Sequence, residues 1–252
     1  MNFTILKQSL QQMWGIVLLD CKYHGDLPSI ENYHTAVKYS LPFRGQWVVV
    51  NGGVNKNTSH SWDIPTQRYA YDFIILDENG KSCCKDDNCP TSFYCYGQDI
   101  LASADGIVVE IQNSHQDSII YSPRRASCKA RDIRGNYVLI QHAENEYSLS
   151  AHLKPNSICV SLGEQVKRGQ KIAECGNTGN TSEPHLHFQI QKEGSFFTSP
   201  GLPIEFENIT AIPFPNYEQY DDRGTDENMN DSPYIVRGEL VENNKESESC
   251  RF

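Results

Sequence analysis

The apolar residues between positions 47 and 191 come in short runs, each closed by Gly, Asn, Asp or Pro, and this punctuation restricts the fold more than any other feature. The runs fall at 47–50, 69–76, 100–111 (with Asp105-Gly106 as an internal turn), 137–142, 147–153, 158–162, 169–175 and 185–191. They have the length of strands, and several are rich in Val, Ile, Tyr and Phe, which suit a pleated, half-buried surface. No long amphipathic helix interrupts this central region, and no short-period repeat is visible. The pattern predicts a mainly β domain with an antiparallel core or small barrel-like sandwich, loops, and few short helices. We divide the chain into a weakly patterned leader (1–41), a β domain (42–205) and an acidic C-terminal extension (206–252).

A chain of 252 residues supports one good core or at most two small domains. The formal charge of −10 argues against nucleic acid as a partner, and no basic stripe with interleaved aromatics opposes that. Ten Asp or Glu against four Lys or Arg between 218 and 252 give that segment −6 of the total, which reads as a solvated face. The apolar stretch 13–19 ends at Asp20, too short to span a membrane, and it lacks the longer core and small residues of a secretory signal. Nine cysteines is a high count, and Cys83, Cys84, Cys89 and Cys95 cluster in one polar stretch. Their spacing leaves disulfides, a structural metal knot or free thiols open, while Cys128, Cys159 and Cys175 read as small buried hydrophobes.

The chemistry gathers around Glu183-Pro184-His185-Leu186-His187-Phe188. Leu186, Phe188 and Ile190 alternate with His185, His187 and Gln189, so both imidazoles share one face of a strand. Asp72 interrupts the apolar run 69–76, and an unpaired carboxylate buried there is costly. A catalytic zinc takes three protein ligands and keeps one position open. His60, Asp72 and His187 form such a set, and zinc resolves the burial of Asp72. His152 and His185 are then free for proton transfer and charge stabilisation. An isolated His-x-His is weak by itself. His24, His34 and His115 read as ordinary histidines, and His142 as a candidate supporting residue at a strand end.

Taken together these residues resemble the lysostaphin/LytM-type zinc metallopeptidases over about 42–201. The most specific match is GNTGNTSEPHLHFQIQ (176–191). SAHL (150–153), ADGIVV (104–109), SLGEQVKRGQKIAECGNTG (161–179) and QRYAYDF (67–73) accompany it. The resemblance implies a fold of the duplicated-hybrid-motif type, one catalytic Zn2+ and hydrolysis of peptide bonds in peptidoglycan by metal-activated water. It makes His60, Asp72 and His187 the ligands and His152 and His185 the catalytic histidines. Asn177, Thr178, Asn180, Thr181 and Ser182 become either a peptide-binding rim or a turn. The usual His-x-x-x-Asp spacing requires His at position 68, where this chain has Arg68. HSWDIPTQRYAYDF (60–73) resembles a branch in which an extended loop supplies the histidine. Peptidoglycan peptides as substrate imply an extracytoplasmic site of action, although no clear signal peptide is visible. Two rivals remain: a non-catalytic zinc- or wall-binding regulatory module of the same fold, and a biotinyl, lipoyl or sugar-phosphotransfer carrier suggested by ADGIVV and GEQVKRGQKI. The carrier reading lacks a clear acceptor residue and leaves Asp72 unexplained.

Overall fold

The computed structural model describes residues 3–85, 87–121, 126–223 and 233–244. Two antiparallel sheets dominate it. Twelve strands follow one another as β1 (Trp47–Asn51), β2 (Tyr71–Ile74), β3 (Asp99–Leu101), β4 (Gly106–Gln112), β5 (Asn136–Ala143), β6 (Glu146–Leu153), β7 (Gln165–Val166), β8 (Lys171–Glu174), β9 (Leu186–Gln191), β10 (Gly201–Leu202), β11 (Ile209–Pro213) and β12 (Glu239–Asn243). The large sheet has ten strands in the order β11-β12-β1-β2-β9-β6-β5-β4-β7, with β10 on β9; β3 and β8 form the small sheet. The run 158–162, read as a strand, makes none: Cys159 N–H donates one bond to Ile172 O at 3.0 Å and the ladder goes no further.

Helix α1 (Phe3–Tyr23) lies in the segment read as a weakly patterned leader. The acidic segment after 205 contributes β11 and β12, which extend the large sheet beyond β1. The charges of this pair fall on β12, where Glu242 is only half-buried and the buried Glu239 accepts the Val236 N–H at 2.8 Å.

The main core lies on one side of the large sheet, where Tyr71, Phe73, Leu186, Phe188 and Ile190 meet Phe43, Trp47 and Ile100, and a smaller cluster of Tyr137, Leu139, Leu149, Ala151 and Phe196 packs on the other. Phe43 stacks on Trp47 with ring centroids 4.7 Å apart and meets Phe73 edge-on at 5.0 Å. Each such ring removed from water contributes about 2–3 kcal/mol. Alternation then turns Asp72, His187 and Gln189 to the opposite face. This core fixes the register on which the polar face depends: in the β2–β9 pair Asp72 stands opposite His187, and in the β6–β9 pair Ala151 stands opposite His187.

The cysteine-rich stretch holds free thiols at Cys84, Cys89 and Cys95. Cys95 and Cys175 are buried, whereas Cys128 and Cys159 are exposed rather than buried as expected. Cys250 lies outside the described residues.

Candidate metal and catalytic site

Asp72 is the centre of the constellation. Only 8% exposed, it has three histidines around its carboxylate. His187 Nδ1 lies 3.0 Å from Oδ1, His185 Nε2 3.8 Å from the same oxygen, and His60 Nδ1 3.8 Å from Oδ2. Asn51, its register partner on β1, donates from Nδ2 to Oδ2 at 3.2 Å.

His60 reaches this point from the loop between β1 and β2. The same Asn51 side chain accepts the His60 N–H at 2.6 Å, so one amide holds both the loop and the carboxylate. Arg68, which stands where the usual spacing has a histidine, closes the loop instead. Its Nε donates to Trp62 O at 3.0 Å, its guanidinium lies 5.1 Å from the Trp62 ring, and its carbonyl accepts from Ser59 Oγ at 2.9 Å.

His152 is aimed by a bulge. The β5–β6 register shifts between Asn136/Leu153 and Val138/Ser150, and His152 takes φ 59°. A left-handed histidine in a strand is a strained conformation held by its surroundings. Its own N–H donates to Arg134 O at 2.9 Å, and its ring Nδ1–H donates to Thr178 O at 2.7 Å. The His185 Nδ1–H donates likewise to Glu183 O at 2.8 Å. A carbonyl only accepts, so Nδ1 carries the proton in both rings and Nε2 offers its lone pair to the cleft. The two rings are 4.6 Å apart by centroid. Burial, reinforced by the neighbouring His185 and His187, pushes His152 well below the usual histidine range.

The tautomer of His187 follows from a chain of amides. Gln189 Nε2 donates to Thr66 O at 3.1 Å and Gln191 Oε1 at 2.9 Å, which turns its Oε1 to His187 Nε2 at 3.0 Å. His187 Nε2 is thus the donor, and its Nδ1 lone pair confronts Asp72 Oδ1. Two acceptors at 3.0 Å demand a positive charge between them. A proton meets that demand in the metal-free protein: burial alone would lower His187, but the bond to Asp72 outweighs it and raises the ring above its ordinary value. Burial likewise opposes ionisation of Asp72, and the bond from His187 with the surrounding histidine charges still hold it well below the usual carboxylate range.

A divalent cation meets the same demand. Donors about 2.0–2.1 Å from a tetrahedral zinc stand roughly 3.3 Å from each other. The observed 3.0 and 3.8 Å bracket that separation, although among the described residues no three side chains close into a finished cage. The nitrogen, nitrogen and oxygen donors of His60, His187 and Asp72 are of the kind zinc takes, and each ring nitrogen stands near that separation from one carboxylate oxygen.

The histidines line a cleft of about 290 Å³ with Arg134, Asn180, Thr181, Ser182 and Phe196. Asn177 and Thr178 are not part of its rim. Both are buried: Thr178 Oγ1 donates to Leu153 O at 2.8 Å, and Asn177 Nδ2 to Ser118 O at 2.8 Å. They pin the loop whose carbonyl orients His152. Gly179, at φ +88°, lets that loop pass Gly135, where a methyl group would stand 2.5 Å from the Gly135 nitrogen. His142 belongs elsewhere, bridging Asp105 O at 2.8 Å and Ser148 Oγ at 2.7 Å. Sequence reading passed over Asn51 as a turn residue and gave Gln189 no role. The alternation His185, His187, Gln189 was the available signal for the second.

Residues 91–198 match the model of Peptidase family M23. That span contains His152, His185 and His187, while His60 and Asp72 precede it. The chain is 34% identical over 98 residues to the peptidoglycan DD-endopeptidase ShyA of Vibrio cholerae, covering 39% of this chain and 18% of that protein. It is 37% identical over 98 residues to the murein hydrolase activator NlpD of Escherichia coli, covering 39% of this chain and 21% of that protein. The chain thus spans about a fifth of the length of these curated relatives. The catalytic domain of a point mutant of the prophage-encoded M23 protein EnpA from Enterococcus faecalis superposes loosely, with TM-score 0.41 and 19% identity over 66% of this chain and 94% of that one. Over residues 91–198 the chain is therefore similar to Peptidase family M23.

Proposed function

We propose that the protein is a zinc-dependent endopeptidase that hydrolyses peptide bonds in peptidoglycan, acting outside the cytoplasm. The observation that carries this reading is the meeting of His187 Nδ1 and Asp72 Oδ1, two acceptors 3.0 Å apart, beside the proton-accepting Nε2 atoms of His152 and His185. His60, Asp72 and His187 hold the metal, with His60 supplied by the extended loop of a family branch that departs from the His-x-x-x-Asp spacing. When bound, zinc supplies the Lewis acidity that amide hydrolysis needs.

The remaining roles belong to the chain. His152, kept neutral by burial, takes a proton at Nε2 from the attacking water. His185, fixed through its Nδ1–H and 4.6 Å from the His152 ring by centroid, presents Nε2 to the same cleft, and the proton taken from water passes from this pair of imidazoles to the leaving amine. Asn180, Thr181 and Ser182 offer polar contacts to a peptide backbone.

The relative named as a murein hydrolase activator motivates a second reading, a regulatory module that does not itself cut. Metal analysis together with digestion of purified peptidoglycan separates the two. We expect one zinc per chain and release of peptide fragments, with zinc lost in His187→Ala. In His152→Ala we expect zinc retained and hydrolysis lost. A zinc-loaded wild-type chain that cuts no wall substrate overturns the enzyme reading in favour of the regulatory one.

A further inference from the structure

Helix α1 packs on the domain through Gln8, Gln12, Gly15 and Leu19 and turns most of its other apolar side chains outward. Gln8 is buried, and its Nε2 donates to Ala130 O at 3.0 Å and Arg131 O at 3.1 Å. Gln12 Nε2 donates to Thr66 Oγ1 at 3.1 Å, and Gln67 Nε2 donates back to Gln12 Oε1 at 3.3 Å. Gly15 is pressed against the chain so closely that a methyl group there would overlap Phe197 O. These contacts fix which side of the helix faces the domain. Leu10, Met13, Trp14 and Val17 are left 53–62% exposed on the other side.

The outward residues Leu6, Leu10, Met13 and Val17 follow steps of four, three and four. That spacing is the one by which a helix packs along another, and Trp14 and Leu18 widen the exposed apolar band on one flank. No charged residue occurs between Lys7 and Asp20, so the strip can approach its own copy without bringing like charges together. A lipid surface suits it less well. A helix lying in the headgroup plane keeps a basic polar face toward water, whereas this polar face is glutamine and glycine bound to the domain. The chain's charge of −10 also opposes an anionic leaflet. The exposed apolar side chains offer on the order of 600 Å² per copy, which paired reaches the lower end of stable interfaces.

We propose that α1 is a homodimerisation element: a second copy of the chain lays its own α1 along Leu6, Leu10, Met13 and Val17, with Trp14 covering one flank. The interface is isologous, each helix supplying the same strip.

Light scattering on the eluting full-length chain tests this. The expected mass is twice the 28.6 kDa of one chain. Leu10→Glu/Val17→Glu should halve that mass with the far-ultraviolet circular dichroism unchanged. Gln11→Glu, which adds a charge on the same helix away from the strip, should leave the dimer intact. A wild-type chain of single mass at every concentration overturns the proposal, as does a dimer that survives the double substitution. A monomer that sediments with phosphatidylcholine/phosphatidylglycerol vesicles, and stops doing so in the double variant, also overturns it and assigns the strip to lipid.

Discussion

Asp72 shows how one residue can organise a site. A carboxylate in the middle of an aromatic strand is expensive to bury, and here each oxygen faces a ring nitrogen while Asn51 donates from the side. Asp72→Asn keeps the shape and removes the charge. Zinc affinity, read by competition with a chelating dye, should fall by at least ~100-fold. Gln189 acts one bond further out by dictating which nitrogen of His187 carries the proton. Gln189→Leu removes that acceptor while preserving bulk. Zinc affinity should drop by about 10–100-fold. At a pH high enough for the ring to be neutral, the ¹⁵N shifts of His187 in the metal-free protein should show the tautomer preference lost. Unchanged shifts would mean that Gln189 merely fills space.

At the scale of elements, the site is a product of strand register, and much of that was legible. The His185–Gln189 alternation placed the polar face, and the apolar partners of β2 and β9 set Asp72 opposite His187. The loop bringing in His60 was legible only as a residue, because what closes it is Asn51, distant in sequence and indistinguishable there from a turn former. The bulge aiming His152 left no mark in SAHL, since a left-handed histidine has no compositional signature. The acidic segment misled for another reason. Averaged over its length it reads as solvated, yet Val241 is fully buried within β12, and the stretch leading to Arg223 walls an adjoining hollow that shares His60 and Asp72 with the cleft.

That wall carries a pH dependence. Asp221 is buried and accepts from the backbone and guanidinium of Arg223, with Nε at 3.0 Å from Oδ1. Burial opposes its ionisation, but these bonds outweigh it and hold the carboxyl below its ordinary value. A depressed folded-state value gives stability that is complete above the unfolded carboxylate range near pH 4 and is lost as pH falls through the folded value. Asp221→Asn should therefore cost about 1 kcal/mol in urea melts at neutral pH, and the gap to wild type should close on acidification below about pH 4. A gap that stays constant with pH would remove the ion pair from the account.

At the scale of the whole molecule, segments far apart in sequence are fastened to the sheet by a few buried or half-buried polar side chains. Asn243 on β12 accepts Leu41 N–H at 3.0 Å and donates to Leu41 O at 3.0 Å and Phe43 O at 2.8 Å, joining the chain before β1 to the strand beyond it. Glu146, at the start of β6, does more. It is 1% exposed and accepts from Tyr33 Oη at 2.8 Å, Ala36 N at 2.5 Å, Val37 N at 3.1 Å and Tyr39 Oη at 2.9 Å. Burial and this carboxylate push both tyrosine hydroxyls far above their usual range, so they remain donors. Glu146→Leu would leave two backbone N–H groups and two hydroxyls without their acceptor, at a cost of about 3–5 kcal/mol. The loss should concentrate in the segment around 33–39, because the β5–β6 ladder pairs through its own backbone. Limited proteolysis of Glu146→Leu should therefore open a cut near Tyr33–Tyr39 while the zinc affinity of the sheet-borne site stays near that of wild type. Uniform digestion with zinc binding lost would instead make Glu146 a determinant of the entire fold.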